Sequence, residues 1–102
     1  MGDFEQLVLL ACVRLGSEGY AVPILEEIET RTGRRASQAA VYVALRRLEK
    51  RGLVTSALGE PTSERGGRAK RYFRPTPEAL RLLRESREAF RAMWRGVEAR
   101  VR

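Results

Sequence analysis

The stretch SQAAVYVALRRLEKR, from Ser37 to Arg51, decides the fold. Ser37 reads as a helix N-cap, because its hydroxyl can accept a hydrogen bond from an unpaired amide of the first turn. Ala40, Val41, Ala44, Leu45 and Leu48 recur at helical spacing and make one apolar face. Opposite them stand Gln38, Ala39, Tyr42 and Val43 near the N-terminus, then Arg46, Arg47, Lys50 and Arg51. Gly52 is expected to end the helix, since glycine closes it at no steric cost. A helix with a buried side, a small polar tip and a cationic flank suits the major groove of DNA. There, N-terminal residues meet base edges and basic residues meet phosphates.

Upstream, Val22 to Thr32 reads as a second helix with Pro23 in its first turn, where a missing amide costs nothing. Ile24, Leu25 and Ile28 form its buried face, and Glu26, Glu27 and Glu29 are expected to face water. Gly33 closes it, so two helices meet across a short turn, the second of them basic: a helix-turn-helix. Phe4 to Leu15 forms a first helix whose apolar surface is too wide for one solvent-facing stripe. Cys12 on it reads as a small core residue.

Downstream, Leu53 to Leu58 has a strand-like composition, GEPTSERGG over 59–67 is rich in turn formers, and RAKRYFR over 68–74 reads as a returning strand. Alternation points Phe73 to the core and Lys70, Tyr72 and Arg74 outward. Residues 65–74 carry five basic groups and no acid. A cationic hairpin straight after a helix-turn-helix is a wing, able to lay charge along a phosphate backbone or in the adjacent minor groove. Arg65, Arg68, Lys70 and Arg71 are its candidate contacts.

Thr76-Pro77-Glu78 opens a last helix with an N-cap, a first-position proline and an acid favoured by the helix dipole. The helix is expected to reach about Val101, with Leu80, Leu83, Phe90, Trp94, Val97 and Val101 on one seam that only Arg87 interrupts. Such a stripe invites a partner helix, and a second identical chain gives a two-fold interface. Phe4, Leu7, Leu83, Phe90, Trp94, Val97 and Val101 are the expected dimer contacts. The competing reading folds the stripe back on the first helix, and both hold if helices one and four of two chains pack together. The expected class is therefore mainly α with a small β-hairpin. A winged helix-turn-helix spans 1–75, with its recognition helix at 37–51 and its wing at 53–75, and a dimerisation helix spans 76–102.

Charge sharpens this reading. The 102 residues carry +7, divided as −2 over 1–36, +6 over 37–75 and +3 over 76–102. The excess sits on the candidate helix and wing, which favours a polyanion, nucleic acid ahead of an anionic membrane. No apolar run approaches the roughly 18 residues of a membrane span. The apolar Leu7–Val13 follows Asp3 and Glu5 rather than a basic leader, and the single cysteine allows no internal disulfide, so a cytoplasmic protein is expected. With no histidine, no metal-spaced cysteines, no phosphate-binding glycine loop and no nucleophile–base pair, neither an enzyme nor a metal or cofactor site is expected. The main rival is a winged-helix module that binds protein rather than specific DNA; an RNA reader is a third option, less suited to a helix shaped for a wide groove.

With LVLLACVRLG, GYAVPILEEIETRTGRRAS, AVYVALRRLEKRGLV and GEPTSERGGRAKRYFRPTPEA in order, the chain resembles PadR-family transcriptional regulators, of the short kind with a single C-terminal dimerisation helix. The third block and the wing carry the specificity of the match. Val43 and Pro75 stand where many members have proline and an aliphatic residue, Ala79 where glycine is common, and Val22 where an aromatic is frequent. The resemblance implies a dimeric winged-helix regulator, mostly repressing. It also implies that a small phenolic or aromatic effector, where one exists, binds near the dimer interface and releases the DNA.

The residues then take roles. Gln38, Ala39, Tyr42 and Val43 face the groove, since glutamine can pair bidentately with adenine and alanine or valine can touch a thymine methyl. Tyr42 has a second reading as a phosphate or packing residue. Ser37 caps the helix and leaves amides for a phosphate, and Arg46, Arg47 and Arg51 are candidates for the backbone. Trp94 has two readings: an interface anchor, or a wall of an aromatic effector site between two subunits. Replacing Gln38 with alanine is expected to cost about 1–3 kcal/mol on the operator and relax specificity there. Arg68→Ala is expected to weaken operator and random duplex alike and lower the salt slope by about one. Titrations of both variants over a salt series check the division, and equal behaviour would overturn it.

Overall fold

A computed structural model describes residues 1–60 and 69–102. In chain order they form α1 (Asp3–Leu15), a 3-10 turn (Gly16–Glu18), α2 (Ala21–Thr32), α3 (Gln38–Lys50), β1 (Val54–Leu58), β2 (Arg71–Pro75), α4 (Pro77–Trp94) and a final 3-10 turn (Glu98–Arg100). Four helices and a two-stranded antiparallel hairpin make the fold class that the sequence indicates.

The core sits between α1, α2, α3 and the root of the hairpin. Val8, Leu9, Ala11 and Cys12 of α1 meet Ile24 and Ile28 of α2, and Val41, Ala44, Leu45 and Leu48 of α3. Leu53, Val54, Phe73 and Ala79 close it from below. Ala40 departs from the apolar face expected for it: it lies exposed at the rim of α3, in a shallow cleft beside Phe4. One residue before Val41 is about 100° around a helix, which carries Ala40 off the buried arc. Burial pushes the Cys12 thiol up to about 12, so at neutral pH it is an uncharged packing group.

Local chemistry sets the ends of α3. The Ser37 hydroxyl accepts from the Ala40 amide at 3.0 Å, the capping bond anticipated. At the other end the Leu53 amide donates to the Leu48 carbonyl at 2.9 Å and the Gly52 amide to Glu49 at 3.0 Å. That paired closure needs a left-handed residue, and Gly52 supplies it at φ 74°. Glu29 departs from its expected exposure: half-buried, it accepts from the Ala36 amide at 3.3 Å and so steadies the turn ahead of α3.

The hairpin pairs Val54 with Pro75, Thr55 with Arg74, Ser56 with Phe73, Ala57 with Tyr72 and Leu58 with Arg71. Opposed residues share a face, so Phe73 and Ser56 look toward α3, while Tyr72 and Arg74 look away. Phe73 is buried as expected, and Lys70 and Arg74 are exposed. Tyr72 is half-buried instead, its ring edge-on to Tyr20 at 5.3 Å. Among the described residues the return strand runs from Arg71 and ends at Pro75, which cannot donate to a further ladder bond; the start expected for it at Arg68 lies outside them.

The last helix is shorter than its apolar spacing suggests. It stops at Trp94, with Arg95 at ψ 121° and Gly96 at φ 84°, and the Gly96 amide donates to Glu98 Oε1 at 2.9 Å. Val97 and Val101 therefore lie in the turns beyond the helix and not on its seam. The first half of α4 docks: Leu82 and Leu83 pack on the core, and the Ser86 hydroxyl lies 2.8 Å from Gln6 Oε1. The second half projects, which gives the molecule its 54 Å long axis.

One close approach joins the helices to the hairpin. The Phe73 amide donates to the Gly19 carbonyl at 2.8 Å, and a Cβ on Gly19 would sit 2.8 Å from the Phe73 carbonyl oxygen. Backbone cannot swing aside as a side chain can, so Gly19→Ala must push β2 off. We expect it to lower unfolding free energy by about 1–3 kcal/mol. Gly2→Ala, with nothing within 4 Å of its Cβ, should leave stability unchanged; urea unfolding of both variants checks this.

Candidate nucleic-acid interface

The exposed arc of α3 begins at its capped N-terminus. Gln38, Ala39, Tyr42 and Val43 are all exposed there, followed by Arg46, Arg47 and Lys50. Tyr42 has a packed side as well: its ring stands edge-on to Phe73 at 6.3 Å. The helix thus presents small and polar groups over its first turns and cations over its last, with Glu49 the one acid among them.

Among the described residues neither Arg47 nor Lys50 has an ion-pair partner, and both are exposed. Arg46 Nη1 lies 3.5 Å from Glu49 Oε1. Arg51 behaves differently, tied to Glu5 of α1 at 3.4 Å, and Arg34 is held by Asp3 at 3.2 Å with its guanidinium over the Phe4 ring at 5.2 Å. These two arginines brace α1 against the ends of the helix-turn-helix. Arg35 escaped the sequence reading. It is exposed, unpaired among the described residues, and stands two positions before the Ser37 cap, where a phosphate near the helix N-terminus would sit.

Of the four wing candidates, Arg65 and Arg68 lie outside the described residues. The other two are neighbours in sequence and so take different surroundings. Arg71, in the ladder opposite Leu58, is half-buried and donates from Nη1 to the Ser56 hydroxyl at 3.1 Å, on the side of α3. Lys70 sits over the Tyr20 ring at 4.6 Å, with Nζ 3.4 Å from the Tyr20 hydroxyl. Arg71 is thereby grouped with the recognition helix and Lys70 with the start of α2.

The expected partner-facing residues are also placed. Phe4 and Leu7 are half-buried against the core, whereas the apolar residues that α1 exposes are Leu10 and Val13, at 45% and 46%. With Leu80, Leu83 and Phe90 of α4 they wall a groove of about 410 Å³, rimmed by Arg84 and Arg87. Trp94 lies one turn beyond that groove, 43% exposed, and Met93 beside it is 79% exposed. Periodicity did not pick Leu10, Val13 and Met93 for this face because each also fits a second helical stripe.

A family model described as "Transcriptional regulator PadR-like family" matches residues 9–85, from the middle of α1 into the docked half of α4. This chain belongs to that family. Its members are regulators of transcription rather than enzymes. The structure is similar to that of a PadR family transcription regulator from Clostridium difficile R20291, with TM-score 0.79 and 18% identity, covering 99% of this chain and 100% of that one. A transcriptional regulator from Clostridium thermocellum follows at TM-score 0.73 and 24% identity, over 96% and 89% of the two chains. A PadR family regulator from Eggerthella lenta DSM 2243 shares 28% identity at TM-score 0.70, over 92% and 80%. No curated protein matches the sequence. Among the described residues no helix is long and apolar enough to cross a membrane.

Proposed function

We propose that this PadR-like regulator is a homodimeric, sequence-specific repressor that binds an inverted-repeat duplex through α3 and the wing. The observation that carries the reading is the exposed arc of α3. A Ser37-capped tip with Gln38, Ala39, Tyr42 and Val43 is suited to base edges, and exposed Arg47 and Lys50 are suited to phosphates. Arg46, Arg35 and Arg71 extend the cationic surface on either side of that arc, and the sequence adds Arg65 and Arg68 as further candidate contacts. The regulator acts in the cytoplasm, where a free buried Cys12 is at home.

The second chain packs on the apolar surface left by Leu10, Val13, Leu80, Phe90, Met93 and Trp94, all at least 39% exposed in one chain. Removing that area from water is the driving force for association. A two-fold axis through α4 would present two copies of α3 to successive major grooves, about one helical turn apart. Trp94, at the end of this surface, also fits a wall for a small aromatic effector held between subunits.

Selection from a random duplex library, followed by anisotropy titration across salt, tests the DNA reading. The expected result is an inverted repeat with half-site centres about 10 base pairs apart, binding less tightly as salt rises. No enrichment and no duplex binding at low salt would overturn it and leave a protein-binding winged helix. For assembly, sedimentation should give twice the 11.6 kDa chain mass, and Phe90→Glu should return the monomer mass. A wild-type monomer would remove the dimer from the proposal.

A further inference from the structure

The cationic face of α3 carries one carboxylate, Glu49, and an acid there repels the phosphates that the neighbouring arginines would meet. Its contacts show what it does in the fold. Glu49 Oε2 accepts from the Ser56 hydroxyl at 2.5 Å, while Oε1 faces Arg46 Nη1 at 3.5 Å. The same Ser56 oxygen accepts from Arg71 Nη1 at 3.1 Å. One carboxylate and one hydroxyl therefore line up two cations from different elements, Arg46 on the helix and Arg71 on the second wing strand. A guanidinium has five N–H donors, so each arginine keeps donors for a phosphate after making these bonds.

The position of Ser56 in the hairpin makes this more than a local ion pair. Ser56 is the register partner of Phe73, and Phe73 carries the ring against which Tyr42 rests at 6.3 Å. Tyr42 and Glu49 lie seven residues apart, two turns along one stripe of α3, and grip the two halves of a single cross-strand pair. Two contacts at separate points fix an angle, where one would leave a pivot. This grip sets where the root of the wing points relative to the recognition helix.

We infer that Glu49 and Ser56 form a positioning latch that holds the wing and the recognition helix at one spacing, and so determine DNA sequence selectivity without themselves reading bases. The inference rests on the DNA-binding reading above. It explains why a negative charge is kept on a surface that otherwise attracts a polyanion: aligned cations reward one duplex geometry, whereas loose ones attract any duplex.

The test uses the full chain, the duplex enriched by the wild type, and a scrambled duplex. Ser56→Ala alters no charge, so binding to the scrambled duplex should stay the same while the selectivity ratio falls by about fivefold, the scale of a pairwise coupling. Ser56→Thr keeps the hydroxyl and should restore the ratio. Glu49→Gln should tighten binding to the scrambled duplex and still lower the ratio. In the double variant Glu49→Gln/Ser56→Ala the ratio should fall no further than in the worse single variant. Thermal unfolding of each variant guards against a mere loss of fold. Unchanged selectivity in Ser56→Ala, no rescue by threonine, or equal tightening on both duplexes in Glu49→Gln would overturn the latch and leave Glu49 a simple repelling charge. Absence of any enriched duplex for the wild type would instead overturn the DNA reading on which the latch rests.

Discussion

Phe73 is the residue on which the pieces of this molecule converge. Its side chain fills the base of the core, its amide bonds to the carbonyl of Gly19, and its ring carries the edge of Tyr42. The first contact is apolar burial, the second a backbone bond that only a residue without a Cβ can admit so closely, and the third an aromatic edge. They act in different directions, and together they hold the root of the hairpin against the helices, with Ser56 as a second point of contact on α3. A two-stranded ribbon is marginal by itself in water. Here its root is anchored because two of its ten ladder residues, Val54 and Phe73, are embedded in a helical core.

That arrangement lets one helix serve two purposes. The arc of α3 that holds Val41, Ala44, Leu45 and Leu48 belongs to the core, and the arc from Gln38 to Lys50 is left exposed. Tyr42 and Glu49 lie where the two arcs meet and take hold of the hairpin. Arginines at either end are treated according to their neighbours. Arg34 and Arg51 are drawn in by the acids of α1, whereas Arg47 and Lys50 are not, although all four look alike in sequence. Exposed pairs of this kind contribute little stability. Their effect is on placement, deciding which positive charges remain available on the outer surface.

The elements of this fold were legible because their signals are local. A capping serine, a terminal glycine and the spacing of Val41, Ala44, Leu45 and Leu48 are read within one helix, and strand alternation is enough to send Phe73 inward. Contacts across the chain were not legible. Nothing in the sequence tells Glu29 to turn back onto the Ala36 amide, or Glu49 to reach Ser56, since both carboxylates fit a solvated face equally well. The C-terminal helix misled for a related reason. Apolar residues at Val97 and Val101 continue its spacing, yet a left-handed Gly96 breaks the backbone before them. Periodicity reports what a helix would bury if it continued and does not report whether it continues.

The two halves of α4 follow different rules, and the difference bears on how a signal could travel. Leu82 and Leu83 are held by the core and by the Ser86 contact with Gln6, so the first half is tied to the helical core. Phe90, Met93 and Trp94 are exposed and have no such anchor among the described residues. A helix is stiff over this length, with 18 residues spanning a single rod. Any shift of the projecting half would therefore be felt at the docked half, and from there at Pro75 and Phe73, which lie one short step along the chain. The root of the wing is thus the point where a change at the far end of α4 would first meet the surface of α3.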